Sequence, residues 1–145
     1  MSPDLDALLC ERYPRIFAER HASIQQSCMP WGFCCGDGWF LLIDELCAGL
    51  QHMTDHENAP QVVAVQVKEK FSTLRFYVHS ATEQQYALID HAANCSAETC
   101  ETCGAPGQPV VQRGWYRTRC AQHAPQDAMS LAELEGAKRS GKASS

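Results

Sequence analysis

Two short pairs of metal-ligating residues stand in the stretch TCETCGAPGQPVVQRGWYRTRCAQH, Thr99 to His123: Cys100 and Cys103 form C-x2-C, and Cys120 and His123 form C-x2-H. A two-residue gap lets two side chains on one tight turn reach the same ion. The sixteen residues between the pairs are enough to run out and back as a hairpin that delivers the second pair. Thiolate and imidazole suit zinc, so the pattern predicts one Zn2+ held by Cys100, Cys103, Cys120 and His123 in a zinc ribbon. Gly104 follows the first pair where a knuckle turn needs positive φ, and Pro106-Gly107 is a turn signal just beyond it. The competing reading is four unconnected residues in a cysteine-rich chain, and the matched spacing argues against it. Four protein ligands close a tetrahedral shell, whereas catalytic zinc keeps a position open for water. The ribbon therefore predicts a cofactor without predicting a reaction.

Two other groups of residues carry chemical potential. His52 and His56 are four apart, with Asp55 and Glu57 beside the second, and would share one helix face if a helix ran that far. The pair lacks the Glu after its first His that marks a zincin, since Met53 stands there. Cys34-Cys35 precede Gly36-Asp37-Gly38 at the start of a helical pattern, where the helix dipole lowers a thiol pKa; His21, His52 and His56 are the available bases. Against these stand a solvated helix end and cysteines packed as small hydrophobes. Cys28 and Cys47 could join Cys34 or Cys35 in a second cluster, but C-x5-C-C is not a usual ligand spacing and Cys47 falls on an apolar stripe. No P-loop, dinucleotide fingerprint, nucleophile elbow or internal repeat is present. No catalytic residue is assigned.

The elements that must position these residues follow from patterning. Ser2-Pro3 can open a helix carrying Leu5, Leu8 and Leu9, which Pro14 ends near Tyr13; Ile16, Phe17 and Ala18 continue into a second short helix to about His21. Ser27–Gly38 reads as a packed loop anchored by Met29, Trp31 and Phe33. Asp37 is expected to cap the clearest helix, with Trp39, Leu42, Ile43, Leu46, Cys47 and Leu50 on one face. Val63, Val65 and Val67, then Leu74, Phe76 and Val78, alternate with polar residues and predict a hairpin turning near Phe71–Thr73. Thr82 and Gln85 match a capping box that opens a helix from Glu83 to about Cys95, burying Tyr86, Ile89 and Ala93. Ser130–Glu133 can open a last short helix, and Gly136–Ser145 is expected to be disordered. The fold class is α+β: helices on an antiparallel hairpin, with a C-terminal zinc ribbon. Residues 1–97 are expected to form the body, 98–125 the ribbon, and 126–145 a short helix and tail.

With 145 residues, 45% of them hydrophobic, the chain can bury a modest core. Nine cysteines are an odd number without a secretory pattern, which points to a reducing cytoplasm. No apolar run approaches a membrane span. Residues 1–97 hold six Lys/Arg against twelve Asp/Glu, and residues 98–145 six against five. An acidic body disfavours nucleic acid, although Arg113, Arg117 and Arg119 with Trp115 or Tyr116 could still touch it.

Three segments, CGDGWFLLIDELC, QVKEKFSTLRFYV and TCETCGAPG with GWYRTRC, resemble small proteins of unassigned function encoded by bacterial genomes and prophages, over roughly Arg12 to His123. The resemblance carries no catalytic residue. It implies an accessory protein in the cytoplasm of a bacterial host that binds a host protein or a host defence complex. An acidic surface would in addition suit the basic patches of nucleic-acid-processing complexes and inhibit them by occupying those patches. Two functions from different classes result. One is a zinc-stabilised interaction protein presenting an acidic surface; the other is a small metal- or thiol-dependent enzyme using His52/Asp55/His56 or Cys34/Cys35. Binding is favoured because it requires no open coordination site and no Cys–His pair.

Overall fold

The computed structural model describes residues 1–143. Helix α1 spans Pro3–Arg12, with the Ser2 side chain accepting the Leu5 N–H and Tyr13 closing it, as the Ser-Pro start and Pro14 require. From Pro14 to Ala22 the chain forms turns and not the expected second helix: Arg20 N–H reaches Phe17 O and Ala22 N–H reaches Glu19 O, three residues back. Ile16 and Phe17 are buried there, and Ile16 O accepts the Ala64 N–H, so a strand takes the bond that a helix would have used.

Strand β1, Phe33–Cys34, lies inside the Ser27–Gly38 loop and pairs parallel with β2, Ala64–Lys70, which pairs antiparallel with β3, Thr73–Val78. Met29 and Phe33 anchor the loop as expected, whereas Trp31 is 68% exposed. The inward face of β2 also differs from simple alternation. Its register shifts between Ala64 and Gln66, so Val62, Ala64 and Val67 are buried while Val63 and Val65 are only half-buried. The bulge frees Val65 O to accept the Cys28 N–H and the Ser27 hydroxyl, fastening the loop.

Helix α2, Phe40–Glu57, follows a 3-10 turn over Asp37–Trp39. Asp37 does not cap it; its carboxylate accepts the Ser2 N–H instead. Trp39, Ile43, Leu46, Cys47 and Leu50 are buried on the predicted face and Leu42 is half-buried. They pack with Leu74 and Phe76 of β3 and with helix α3, Glu83–Ser96. The Thr82/Gln85 capping box is present in both directions. The buried stripe of α3 is Gln85, Ile89, Ala92 and Ser96: Ile89 is buried as expected, whereas Gln85 and Ala92 take the places expected for Tyr86 and Ala93, and Tyr86 is exposed. Polar chemistry sets this rotation: Gln85 donates to Pro60 O, and Ser96 Oγ accepts the Leu74 N–H, so both are buried with partners.

A second sheet, in the order β5–β4–β6, joins β4 (Gln108–Gln112), β5 (Trp115–Arg119) and β6 (Met129–Ser130). Helix α4, Leu131–Ala143, opens on a Ser130/Glu133 capping box. Residues 136–143, expected to be disordered, continue it, while Ser144 and Ser145 lie outside the described residues. The β2–β3 hairpin turns through Phe71 and Ser72, at φ 51° and 71°, and the β4–β5 hairpin through Arg113 and Gly114, at φ 50° and 83°. Paired positive φ values match the twist of tight hairpins, but at Phe71 they cost about 1–2 kcal/mol relative to a glycine. No helix among the described residues is long and apolar enough to cross a membrane.

Candidate metal centre

Each ligand pair sits on its own knuckle. In the first, Gly104 N–H bonds Cys100 O and Cys100 N–H bonds Ala105 O; in the second, His123 and Ala124 N–H both reach Cys120 O. Gly104, at φ 82°, turns the chain sharply enough to bring Cys103 back beside Cys100. The β4–β5 hairpin then returns the second knuckle to the first.

The four donor atoms lie within 4.8 Å of one another. Cys103 Sγ and Cys120 Sγ are 3.7 Å apart, Cys100 Sγ and His123 Nδ1 3.8 Å, and Cys120 Sγ and His123 Nδ1 3.2 Å. A tetrahedral ion with bonds of about 2.3 Å to sulfur and about 2.0 Å to nitrogen requires edges of about 3.8 Å between sulfurs and about 3.5 Å from sulfur to nitrogen. The cluster fits such an ion, with Nδ1 as the histidine ligand.

Electrostatics favour the thiolate at two of the three cysteines, Cys100 and Cys120, and the hydrogen bond to Cys120 raises the pKa of His123. Burial alone pushes the Cys100 thiol up, but backbone N–H groups of Cys120, Cys103 and Thr102 overcome it and take the pKa down to about 6. At Cys120, burial is likewise outweighed, by His123 and the amides of His123 and Gln122, and the thiol is lowered. Cys103 goes the other way: the Ala105 amide lowers it, but desolvation and its two neighbouring sulfurs raise it on balance. Three sulfurs this close cannot all ionise without a cation among them. All nine cysteines are free.

The first knuckle is seated on the body. Gly38 N–H bonds Glu101 O at 2.8 Å, Gly36 N–H bonds Glu101 Oε2 at 2.9 Å, and the buried Trp39 indole donates to Thr99 O at 2.9 Å. The Glu101 carboxylate also pairs with Arg119 at 3.1 Å and is itself buried. A Cβ on Gly38 would stand 2.2 Å from Cys100 O, so the glycines of Gly36-Asp37-Gly38 make room for the knuckle backbone. Sequence reasoning missed Glu101 and the purpose of these glycines; the signal available was a Gly-x-Gly ahead of a helix without a phosphate-loop pattern.

The other predicted sites do not assemble. Among the described residues, Cys100, Cys103, Cys120 and His123 form the one convergent group of three or more potential ligands. Helix α2 does extend over His52 and His56, whose ring centroids are 4.6 Å apart, but Asp55 is taken by Arg15 and Gln51. Cys34 is exposed and its sulfur faces the carbonyls of Trp31 and Gly32. Burial pushes the Cys35 thiol up to about 12 despite the nearby terminal amine, the reverse of the activation expected at a helix start. Cys28 is exposed and joins no cluster, and Cys47 is core. Within the acidic body, Asp44 is held by Arg12 and the Tyr13 hydroxyl, and Asp55 by Arg15. Arg117 pairs with Glu69 at 3.0 Å.

No protein-family model, curated protein or solved structure matches this chain.

Proposed function

We propose that this chain is a zinc-stabilised accessory protein, of phage or prophage origin, that acts by binding a host macromolecule and not by turnover. The observation that carries the reading is the closed Cys3His cluster: four protein donors at tetrahedral spacing leave no position for water or substrate. Three sulfurs and one imidazole are a soft donor set that suits Zn2+. In this reading the ion folds the ribbon, and the ribbon, seated through Glu101 on Gly36 and Gly38, adds a rigid second hairpin to the body's binding surface. The raised Cys35 thiol and the pairing of Asp55 with Arg15 both weigh against the enzyme alternative. The prophage setting rests on the sequence resemblance alone.

Native mass spectrometry should find one zinc per chain, lost in Cys103→Ser. Affinity capture from host cells should recover a macromolecule with the zinc-loaded protein and not with that variant. If a Cys34→Ala or His56→Ala variant abolished the protein's effect in host cells while the zinc ligands were dispensable, the enzyme reading would replace this one.

A further inference from the structure

The tips of the two hairpins meet. Thr118 Oγ1, fully buried, donates to Ser72 O at 2.6 Å, and Arg117 pairs with Glu69 at 3.0 Å, so the turns of β2–β3 and β4–β5 are pinned side by side. What they raise together is aromatic and basic. Phe71 is 64% and Trp115 67% exposed, and Tyr116 stands edge-on to Phe71 with centroids 6.3 Å apart. With Gly114, Lys70 and the Arg117–Glu69 pair, these rings line a cleft of about 320 Å³. Lys70 Nζ lies 5.6 Å from the Phe71 centroid, and Arg117 Cζ 5.5 Å from that of Trp115.

Charge is concentrated on the same two hairpins. Residues 64–78 and 108–119 hold six of the chain's twelve Lys/Arg and one of its seventeen Asp/Glu. Arg117 is held by Glu69, Arg119 by Glu101 and Arg113 loosely, at 3.9 Å, by Asp127, while Lys68, Lys70 and Arg75 form no ion pair among the described residues. Beyond the tip, Lys68 and Arg75 are cross-strand partners on the sheet face opposite the buried Val67–Phe76 pair, with the exposed Tyr77 on the next row. The acidic average of the chain conceals this basic face.

Phe71 is the diagnostic residue. A tight turn at positive φ takes Asn or Gly without strain. Here a large apolar ring occupies φ 51° and still leaves most of its surface in water, so neither the turn nor the core accounts for it. Strain held at an exposed position is the mark of a contact made outside the molecule.

Resting on the binding reading above, we infer that the paired hairpin tips bind single-stranded nucleic acid: unpaired bases stack on Trp115 and Phe71 while Lys70, Lys68 and Arg113 meet phosphates. Stacking rings flanked by cations serve any base with an open face, and a duplex hides those faces. A cationic ligand is disfavoured because lysine and arginine already lie over the rings.

The test is fluorescence anisotropy of the zinc-loaded full chain with labelled oligo(dT) and oligo(U) of about 12 nucleotides, within the usual site sizes, against a duplex of equal length. Single strands should bind in preference to the duplex. Affinity should fall about tenfold or more between about 50 and 200 mM salt if about three phosphates are neutralised. Trp115→Ala should weaken binding about 5- to 150-fold, the loss of one stacked base. Phe71→Asn should weaken it too, yet raise the Tm by relieving the turn, whereas Tyr86→Ala on α3 should leave binding unchanged. Equal binding of duplex, or an unaffected Trp115→Ala, would overturn the inference. So would failure to bind either oligonucleotide. In that last case, a host protein captured by the parent chain and lost with Trp115→Ala would identify the tips as a protein interface and leave the binding reading standing. Capture of nothing would remove both.

Discussion

Replacing Gly38 with alanine tests whether the metal ribbon is seated on the body or merely tethered to it. The added Cβ would meet Cys100 O at 2.2 Å and the backbone carbon and oxygen of Glu101 at 2.6 Å each. All three are main-chain atoms of the knuckle, so no side-chain rotation relieves the overlap, and the knuckle must withdraw by on the order of 1 Å to reach contact distance. Withdrawal strains three hydrogen bonds: Gly38 N–H to Glu101 O, Gly36 N–H to Glu101 Oε2 and the Trp39 indole to Thr99 O. Overpacking costs about 1–3 kcal/mol, and a buried polar group left unpaired about 1–3 kcal/mol more, for a loss of about 2–6 kcal/mol. That is a large share of a small domain's stability. All four metal ligands lie within the ribbon, so zinc affinity should change little. Gly49→Ala is the control. Its Cβ would meet only the flexible end of Leu88, at 3.3 Å, inside helix α2, and should stabilise the protein by about 0.5–1 kcal/mol. Urea unfolding of the zinc-loaded proteins, followed by circular dichroism, measures stability, and competition with a chromophoric chelator measures affinity. A Gly38→Ala protein as stable as the Gly49→Ala control would refute the seating.

Cys103→Ser removes one of four ligands and should release the ion, exposing the amides of residues 98–123 to hydrogen exchange while α2 and the first sheet stay protected; retention of zinc at parental affinity would refute the ligand assignment. Leu46→Ala, at a position 5% exposed in the core, should cost about 2–5 kcal/mol in the same unfolding assay, and a loss below about 0.5 kcal/mol would mean the face of α2 is misassigned. With its pKa pushed up to about 12, Cys35 should resist iodoacetamide at pH 8 while the exposed Cys28 and Cys34 react, and peptide mapping of the labelled native protein distinguishes them. The same shift carries a sign for stability. Above pH 9 the unfolded chain gives up this proton and the folded chain keeps it, so stability should fall as pH rises from about 9 toward 12, and a flat alkaline profile would contradict the burial of that thiol.

Features set by neighbours in the chain were legible in the sequence. Ser2-Pro3 starts α1, Thr82 and Gln85 cap α3, and each pair of potential metal ligands stands on its own knuckle, because each depends on groups a few residues apart. The apolar stripe of α2 was legible for the same reason. Errors entered where a distant partner chose between local options of similar energy. Alternation from Val63 to Val67 is broken because Val65 O is needed by Ser27 and Cys28, nearly forty residues earlier. A part-turn of α3 that keeps Ile89 inside brings Gln85 to Pro60 and Ser96 to Leu74, bonds that hydrophobic counting does not weigh against burying Tyr86. Turns at Ile16–Phe17 replace a helix because Ala64 supplies an alternative donor.

The same distinction explains why the metal site was readable and its attachment was not. Cys100-Glu101-Thr102-Cys103 announces a knuckle through its cysteines, and Glu101 between them reads as an exposed charge. In the fold it is buried, accepts a bond from Gly36 sixty-five residues away, and pairs with Arg119 on the returning strand. One carboxylate thus joins the loop before α2, the first knuckle and the strand that leads into the second. An isolated ribbon would leave this charge facing water; seated, it is compensated by a guanidinium and a backbone N–H, the conditions under which burying a carboxylate is tolerated. The Cys3His cluster places four donors where one ion would order the ribbon internally, while Glu101 and the two glycines fix where the ribbon stands. Its hairpin tip consequently meets the tip of the β2–β3 hairpin, and Phe71 and Trp115, forty-four residues apart in sequence, come to share one surface.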